Sequence, residues 1–160
     1  MSGPTGHDSR PAGPAQLQPT ELVWLLRRTT RRFGAAVRHG LDAAGHSRLP
    51  QQGFWAVSAL AEKEHTPGQL GDRMQITKQA VSQLIETLVD LGYVQRQADP
   101  VDRRRVVMTL TAQGRDAAGV IADAIVRLRI EVGRTIGPVE VAHLEHILAA
   151  FSDLEPEVGP

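Results

Sequence analysis

The chain has 160 residues, 41% apolar and 22% charged, enough to bury one core of ordinary size and remain soluble. It has no cysteine, which excludes disulfides, thiolate catalysis and cysteine-ligated zinc. Eighteen basic side chains balance eighteen acidic ones, so bulk charge gives no reason to bind nucleic acid.

That zero is a sum over an uneven distribution. Residues 1–41 carry six arginines against two acids. Residues 137–160 carry five acids and no base, and 42–136 are nearly balanced. Arginine outnumbers lysine sixteen to two, as GC-rich coding alone produces. Arginine is also the better residue for phosphate and minor-groove contacts.

Residues 1–18 are rich in Gly, Pro and small polar residues with no apolar run, and are expected to be a disordered tail. No stretch reads as a signal peptide or a membrane span, so a cytoplasmic protein is expected. From Pro19 to Ala44, Leu22, Leu26, Thr29, Phe33 and Val37 recur at helical spacing among arginines. A shorter helix over Gln51–Ala61 turns Phe54, Val57, Leu60 and Ala61 inward. Thr66-Pro67-Gly68-Gln69 reads as a capping box that opens a third helix ending near Met74. Gln75 and Ile76 make a tight turn, and Thr77 caps a fourth helix running to Leu91.

On the wheel of that fourth helix, Ala80, Val81, Leu84, Leu88 and Leu91 share one arc. Lys78, Gln79, Ser82, Gln83, Glu86 and Asp90 share the opposite one, and Val89 is out of place. This is a helix-turn-helix pattern. After Gly92 the period becomes two. Strands are expected over Tyr93–Gln97 and Arg105–Leu110, with Val106, Met108 and Leu110 on one face. Pro100 and the flanking aspartates turn the chain between them, which places Arg103, Arg104 and Arg105 at a hairpin tip. Thr111 caps a long helix to Ile136, striped by Ile121, Ile125, Leu128 and Val132. A last helix over Val139–Leu154 uses Leu144, Leu148 and Phe151.

The fold class is therefore mainly α, in the order α-α-α-α-β-β-α-α. A helix-turn-helix followed at once by a basic hairpin is a winged helix. The stretch from Asp102 to Thr111, with Gly114 beyond, resembles the D-x-R-(x5)-L-T wing signature of the MarR family of winged helix-turn-helix regulators. The segment from Gly68 to Val94 is similar to that family's recognition module. The resemblance covers about residues 20–153.

It implies a single MarR-like subunit over 19–160. A winged-helix lobe would span 50–112, with long terminal dimerisation helices at 19–47 and 113–154. It further implies a homodimeric transcription regulator that binds double-stranded DNA at an inverted-repeat operator. Such a regulator commonly represses nearby genes until a small, often aromatic or anionic, ligand releases it. Residues 77–83 would enter the major groove, and Arg103 or Arg104 the minor groove.

The side chains suit those roles. Thr77, Lys78, Gln79, Ser82 and Gln83 can read bases or hold phosphate. The Arg103–Arg105 run suits the negative potential of a narrow minor groove. Asp102 would orient a neighbouring arginine through a charge-assisted hydrogen bond. In the family the first helix and the acidic tail meet at the dimer interface, so cross-subunit ion pairs are expected there. Family ligands bind between dimer helices and DNA lobe, which makes Trp24, Arg27, Arg28, Arg31, His39, Phe54 and Trp55 candidate lining residues.

His143 and His146, one turn beyond Glu140, have a zinc-compatible spacing but no second cluster, so neither metal nor cofactor is expected. The chain has no G-x-S-x-G elbow, no phosphate loop and no carboxylate constellation, so an enzyme is not expected. The alternative is an architectural or ligand-independent DNA-binding protein.

Overall fold

The computed structural model describes residues 18–99 and 101–153. The expected disordered tail up to residue 17, the Pro100 turn position and the acidic residues beyond Asp153 lie outside them. The elements are α1 (Pro19–Ala43), α2 (Gln51–Glu62), α3 (Pro67–Met74), α4 (Lys78–Asp90), β1 (Val94–Ala98), β2 (Val106–Leu110), α5 (Ala112–Ile136) and α6 (Pro138–Ser152).

The chain forms two compact units, divided inside α1 between Arg32 and Phe33. In the first, every side chain from Thr20 to Arg32 is exposed. The Arg27 guanidinium lies 5.8 Å above the Trp24 ring. Leu22, Val23, Leu25 and Leu26 face solvent, so the helical periodicity is real but its cover is not supplied by this unit.

The second unit holds the core. Val37 and Leu41 of α1, Phe54, Val57 and Leu60 of α2, Leu70 of α3, Val81, Leu84, Ile85 and Leu88 of α4, and Ala117, Ile121 and Ala124 of α5 are buried together. Val37 and Leu41 thus share a core with the winged-helix residues. Ala61, expected inward, is exposed on the last turn of α2, one residue before the helix ends.

Local chemistry sets the helix-turn-helix. Thr66 accepts a hydrogen bond from the Gln69 backbone N–H at 3.3 Å, and the Gln69 side chain accepts from the Thr66 N–H at 2.9 Å. Gln75 then takes a left-handed φ of 54°, and Ile76 N–H closes the turn on the Gly71 carbonyl at 3.0 Å. Thr77 accepts from Ala80 N–H at 3.2 Å and starts α4.

β1 and β2 pair antiparallel, Val94 opposite Leu110 and Ala98 opposite Val106. His65 forms an isolated bridge to Met108 at the free edge. The β2 face shared by Val106, Met108 and Leu110 is buried only at its inner positions. Val106 is exposed, while the adjacent Val107 and Met108 are both buried. The inner end of the strand is covered on both faces, so simple alternation fails there.

α5 and α6 differ from a buried pair. Only Val141 of α6 is buried; Leu144, Leu148 and Phe151 are exposed, as is Ile125 of α5. These apolar side chains keep their helical spacing, but no described residue covers them.

Candidate nucleic-acid interface

Thr77, Lys78, Gln79, Ser82 and Gln83 are all exposed along the start of α4. Lys78 and Ser82 form one row at i, i+4, and Gln79 and Gln83 form a second. From 78 to 83 the helix rises about 7.5 Å, the height of about two stacked base pairs. Two hydroxyls are partly committed. Thr77 accepts from the helix start, and Ser82 donates to the Lys78 carbonyl at 2.8 Å. Lys78, Gln79 and Gln83 keep their polar ends free for a partner.

The hairpin tip is built on its aspartates. Asp99 Oδ1 accepts from Val101 N–H at 2.8 Å and Asp102 N–H at 3.3 Å. Those backbone donors, Val101 first, together with Arg105, hold the Asp99 carboxyl below the usual carboxylate range. Asp102 Oδ1 accepts from the backbone N–H of Arg104 at 3.1 Å. The carboxylate thus meets a neighbouring arginine, Arg104, through its backbone N–H. Among the described residues, no carboxylate lies within ion-pair distance of Arg103, Arg104 or Arg105. Their three guanidiniums are exposed and available to an anion.

The candidate ligand residues separate. Trp55 is exposed and lines a cavity of about 440 Å³ with Ser58, Ala59, Glu62, Arg73, Met74 and Ile125. Arg73 and Glu62 pair at 3.3 Å on its wall. Phe54, expected in such a site, is buried in the core, with the Arg38 guanidinium 4.7 Å above its ring. Arg38 stays there because it also donates to the Leu49 carbonyl at 2.7 Å. His39 is exposed, and Trp24, Arg27, Arg28 and Arg31 lie on the first unit.

Glu145, expected to pair across a dimer, instead binds Arg129 of its own chain through two hydrogen bonds. Among the described residues no group of three His, Asp or Glu side chains could hold a metal.

Sequence reading missed His65. It is 5% exposed, and its Nε2 has no hydrogen-bond partner. Its backbone carbonyl accepts from Met108 N–H at 2.7 Å and holds the edge of the hairpin. Burial first, then Lys63 and Arg73, push its pKa below the ordinary 6.5. The unfolded chain therefore binds the proton more readily than the folded one. Its contribution to stability is complete above the ordinary value and is lost as pH falls from there to the lowered one. The urea midpoint should drop between pH 7.5 and pH 5 more steeply for the wild type than for His65→Leu. Parallel pH profiles would refute this.

Residues 49–105 match the model of the MarR family. This module resembles the MarR family. The match runs from the start of α2 to the last wing arginine. The chain is also similar to the exopolysaccharide II synthesis transcriptional activator ExpG of Rhizobium meliloti (strain 1021). That protein is 27% identical over 104 residues, 65% of this chain and 54% of its own length. The chain spans about half the length of the curated relatives it matches.

Among solved structures, NadR in complex with 4-hydroxyphenylacetate superposes with a TM-score of 0.68 at 21% identity, covering 89% of this chain and all of that one. Bordetella bronchiseptica BpsR, described as regulated in its DNA binding by 6-hydroxynicotinic acid, gives 0.66 at 24%, with the same coverage. These likenesses extend the winged-helix MarR fold beyond the matched module to most of the chain. Among the described residues no helix is long and apolar enough to cross a membrane.

Proposed function

We propose that the chain is a homodimeric, sequence-specific DNA-binding regulator, and not an enzyme, acting in the cytoplasm as a repressor of nearby genes. One observation carries the reading. A MarR-family module presents the polar face of α4 beside a hairpin whose three tip arginines have no carboxylate partner among the described residues. Lys78, Gln79 and Gln83 read base edges in the major groove, with Thr77 and Ser82 on phosphates. Arg103 or Arg104 enters the flanking minor groove. A second copy covers the apolar side chains left bare on α5 and α6, and the two recognition helices sit about 10 base pairs apart on an inverted repeat.

The Trp55 cavity is the proposed effector site. Its volume of about 440 Å³ falls within the range of small-molecule sites. An aromatic ring would stack on Trp55, and a carboxylate would draw Arg73 away from Glu62. NadR and BpsR, whose described ligands are both hydroxylated aromatic acids, support that class. Binding would favour a lobe spacing that no longer matches DNA.

The test is footprinting of the purified protein on the region upstream of its own gene. A protected inverted repeat is expected. Equal binding to scrambled sites of the same A·T content would favour an architectural binder. Arg104→Ala should weaken operator binding by about 1–3 kcal/mol at fixed salt, with the dimer intact. Unchanged affinity would remove the hairpin tip from the mechanism.

A further inference from the structure

We propose that His46 is a positioning residue that sets the aim of the wing, the β1–β2 hairpin with its arginine tip. The proposal rests on the DNA-binding reading above.

Three side chains from distant parts of the sequence meet at the root of this hairpin. His46 lies in the turn after α1 and is 5% exposed. Its Nδ1 is 3.3 Å from the hydroxyl of Tyr93, and its Nε2 is 2.9 Å from Asp116 Oδ2 on α5. An ionised carboxylate can only accept, so Nε2 carries the proton. With the ring neutral, Nδ1 then accepts and the Tyr93 hydroxyl donates to it. His46 is itself tethered, its backbone N–H bonded to the Leu41 carbonyl at 2.7 Å. It therefore joins the end of α1, the start of α5 and the wing root through one buried ring.

Tyr93 immediately precedes β1 and is 2% exposed. Its backbone is also held: its carbonyl accepts from Thr111 N–H at 3.1 Å. That bond is an axis near which the hairpin can tilt. The Tyr93 hydroxyl, at the far end of the ring from the backbone, is the point where a tilt can be resisted. The five residues of β1 extend about 16 Å from this root. A tilt of about 10° would move the tip by about 3 Å, half the width of a minor groove about 6 Å across. The wing tip contains its own hydrogen bonds, so it moves as a rigid piece. The orientation of Arg103 and Arg104 over DNA is thus set in part at the root, where His46 holds Tyr93, together with the His65–Met108 bond along the hairpin edge.

The test is a double-mutant cycle read as operator affinity at fixed salt. His46→Ala should weaken binding about tenfold, in line with a lost buried hydrogen-bond network. In an Arg103→Ala/Arg104→Ala background the same change should cost less than about twofold, because both misaimed side chains are already gone. Equal losses in both backgrounds would show a general structural role and overturn the proposal. No loss in the wild-type background would overturn it too. Loss of affinity by His46→Ala when Arg103→Ala/Arg104→Ala alone has no effect would overturn both this proposal and the wing's place in DNA binding.

Tyr93→Phe keeps the ring and removes only the hydroxyl. It should reproduce the same pattern with the melting temperature and dimer state nearly unchanged. Tyr93 is the only tyrosine in the chain, so its ring signal in a tyrosine-labelled NMR spectrum reports the junction directly. That signal should shift in His46→Ala and stay in place in Arg104→Ala. A shift in Arg104→Ala with none in His46→Ala would refute the link.

Discussion

Gly114→Ala is expected to destabilise the protein by about 3 kcal/mol. Gly114 is buried in the first turn of α5. A Cβ added there would land on the carbonyl oxygen of Tyr93, 3.0 Å from its carbonyl carbon and 3.1 Å from Leu110 Cδ2. Backbone cannot rotate away as a flexible side chain can. α5 would have to retreat from the hairpin root. Retreat would break the bonds that Thr111 makes there, its hydroxyl to the Gly92 carbonyl at 2.6 Å and its N–H to the Tyr93 carbonyl at 3.1 Å. Each is worth about 1 kcal/mol. The gain from alanine's helix propensity is no more than about 1 kcal/mol and cannot offset the clash. Gly119 on the same helix is the control. A Cβ there meets nothing within 4 Å, so Gly119→Ala should stabilise by up to about 1 kcal/mol. Urea midpoints that move together for the two variants would reject the packing argument.

Leu88→Ala should cost about 2–5 kcal/mol, the range for emptying a fully enclosed leucine site. Leu88 is 0% exposed and anchors α4 against α2, where a Cβ on Gly53 would come within 3.0 Å of Leu88 Cδ2. With both neighbours fixed in helices, the cavity cannot collapse fully. Gln83→Ala on the opposite face should leave stability within about 0.5 kcal/mol and act on operator affinity alone. Denaturation and DNA titration of the two variants separate the two faces. A Leu88→Ala loss below about 1 kcal/mol would mean that α4 is held elsewhere.

The helix-turn-helix was legible because its determinants are local. The Thr66 box, the Gln75-Ile76 turn and the Thr77 cap each act within five residues. The α4 wheel needs only its own spacing. β2 was less legible because its inner end is covered on both faces, which adjacent Val107 and Met108 show and alternation cannot. For α6 the apolar spacing was visible, but spacing does not say where the cover comes from. For Asp102, adjacency to arginines does not say which donor it meets; the turn delivers the Arg104 backbone N–H. The junction at His46 was invisible because its partners stand 47 and 70 residues away. Phe54 has the residue type of a ligand site, but it is buried, with Arg38, held by a loop carbonyl, over its ring.

The bare apolar side chains of α5 and α6 bear on how much of this protein a cell can use. A newly made chain shows Phe151, 64% exposed, and Ile147, 53% exposed, to every other surface around it. Under the proposed pairing, each chain must find its twin before it adheres to something else. The number of working pairs then follows the square of the supply when chains are scarce, so halving synthesis removes about three quarters of the pairs. Gene control by such a protein would be steep at low expression, with no cooperativity on the DNA itself.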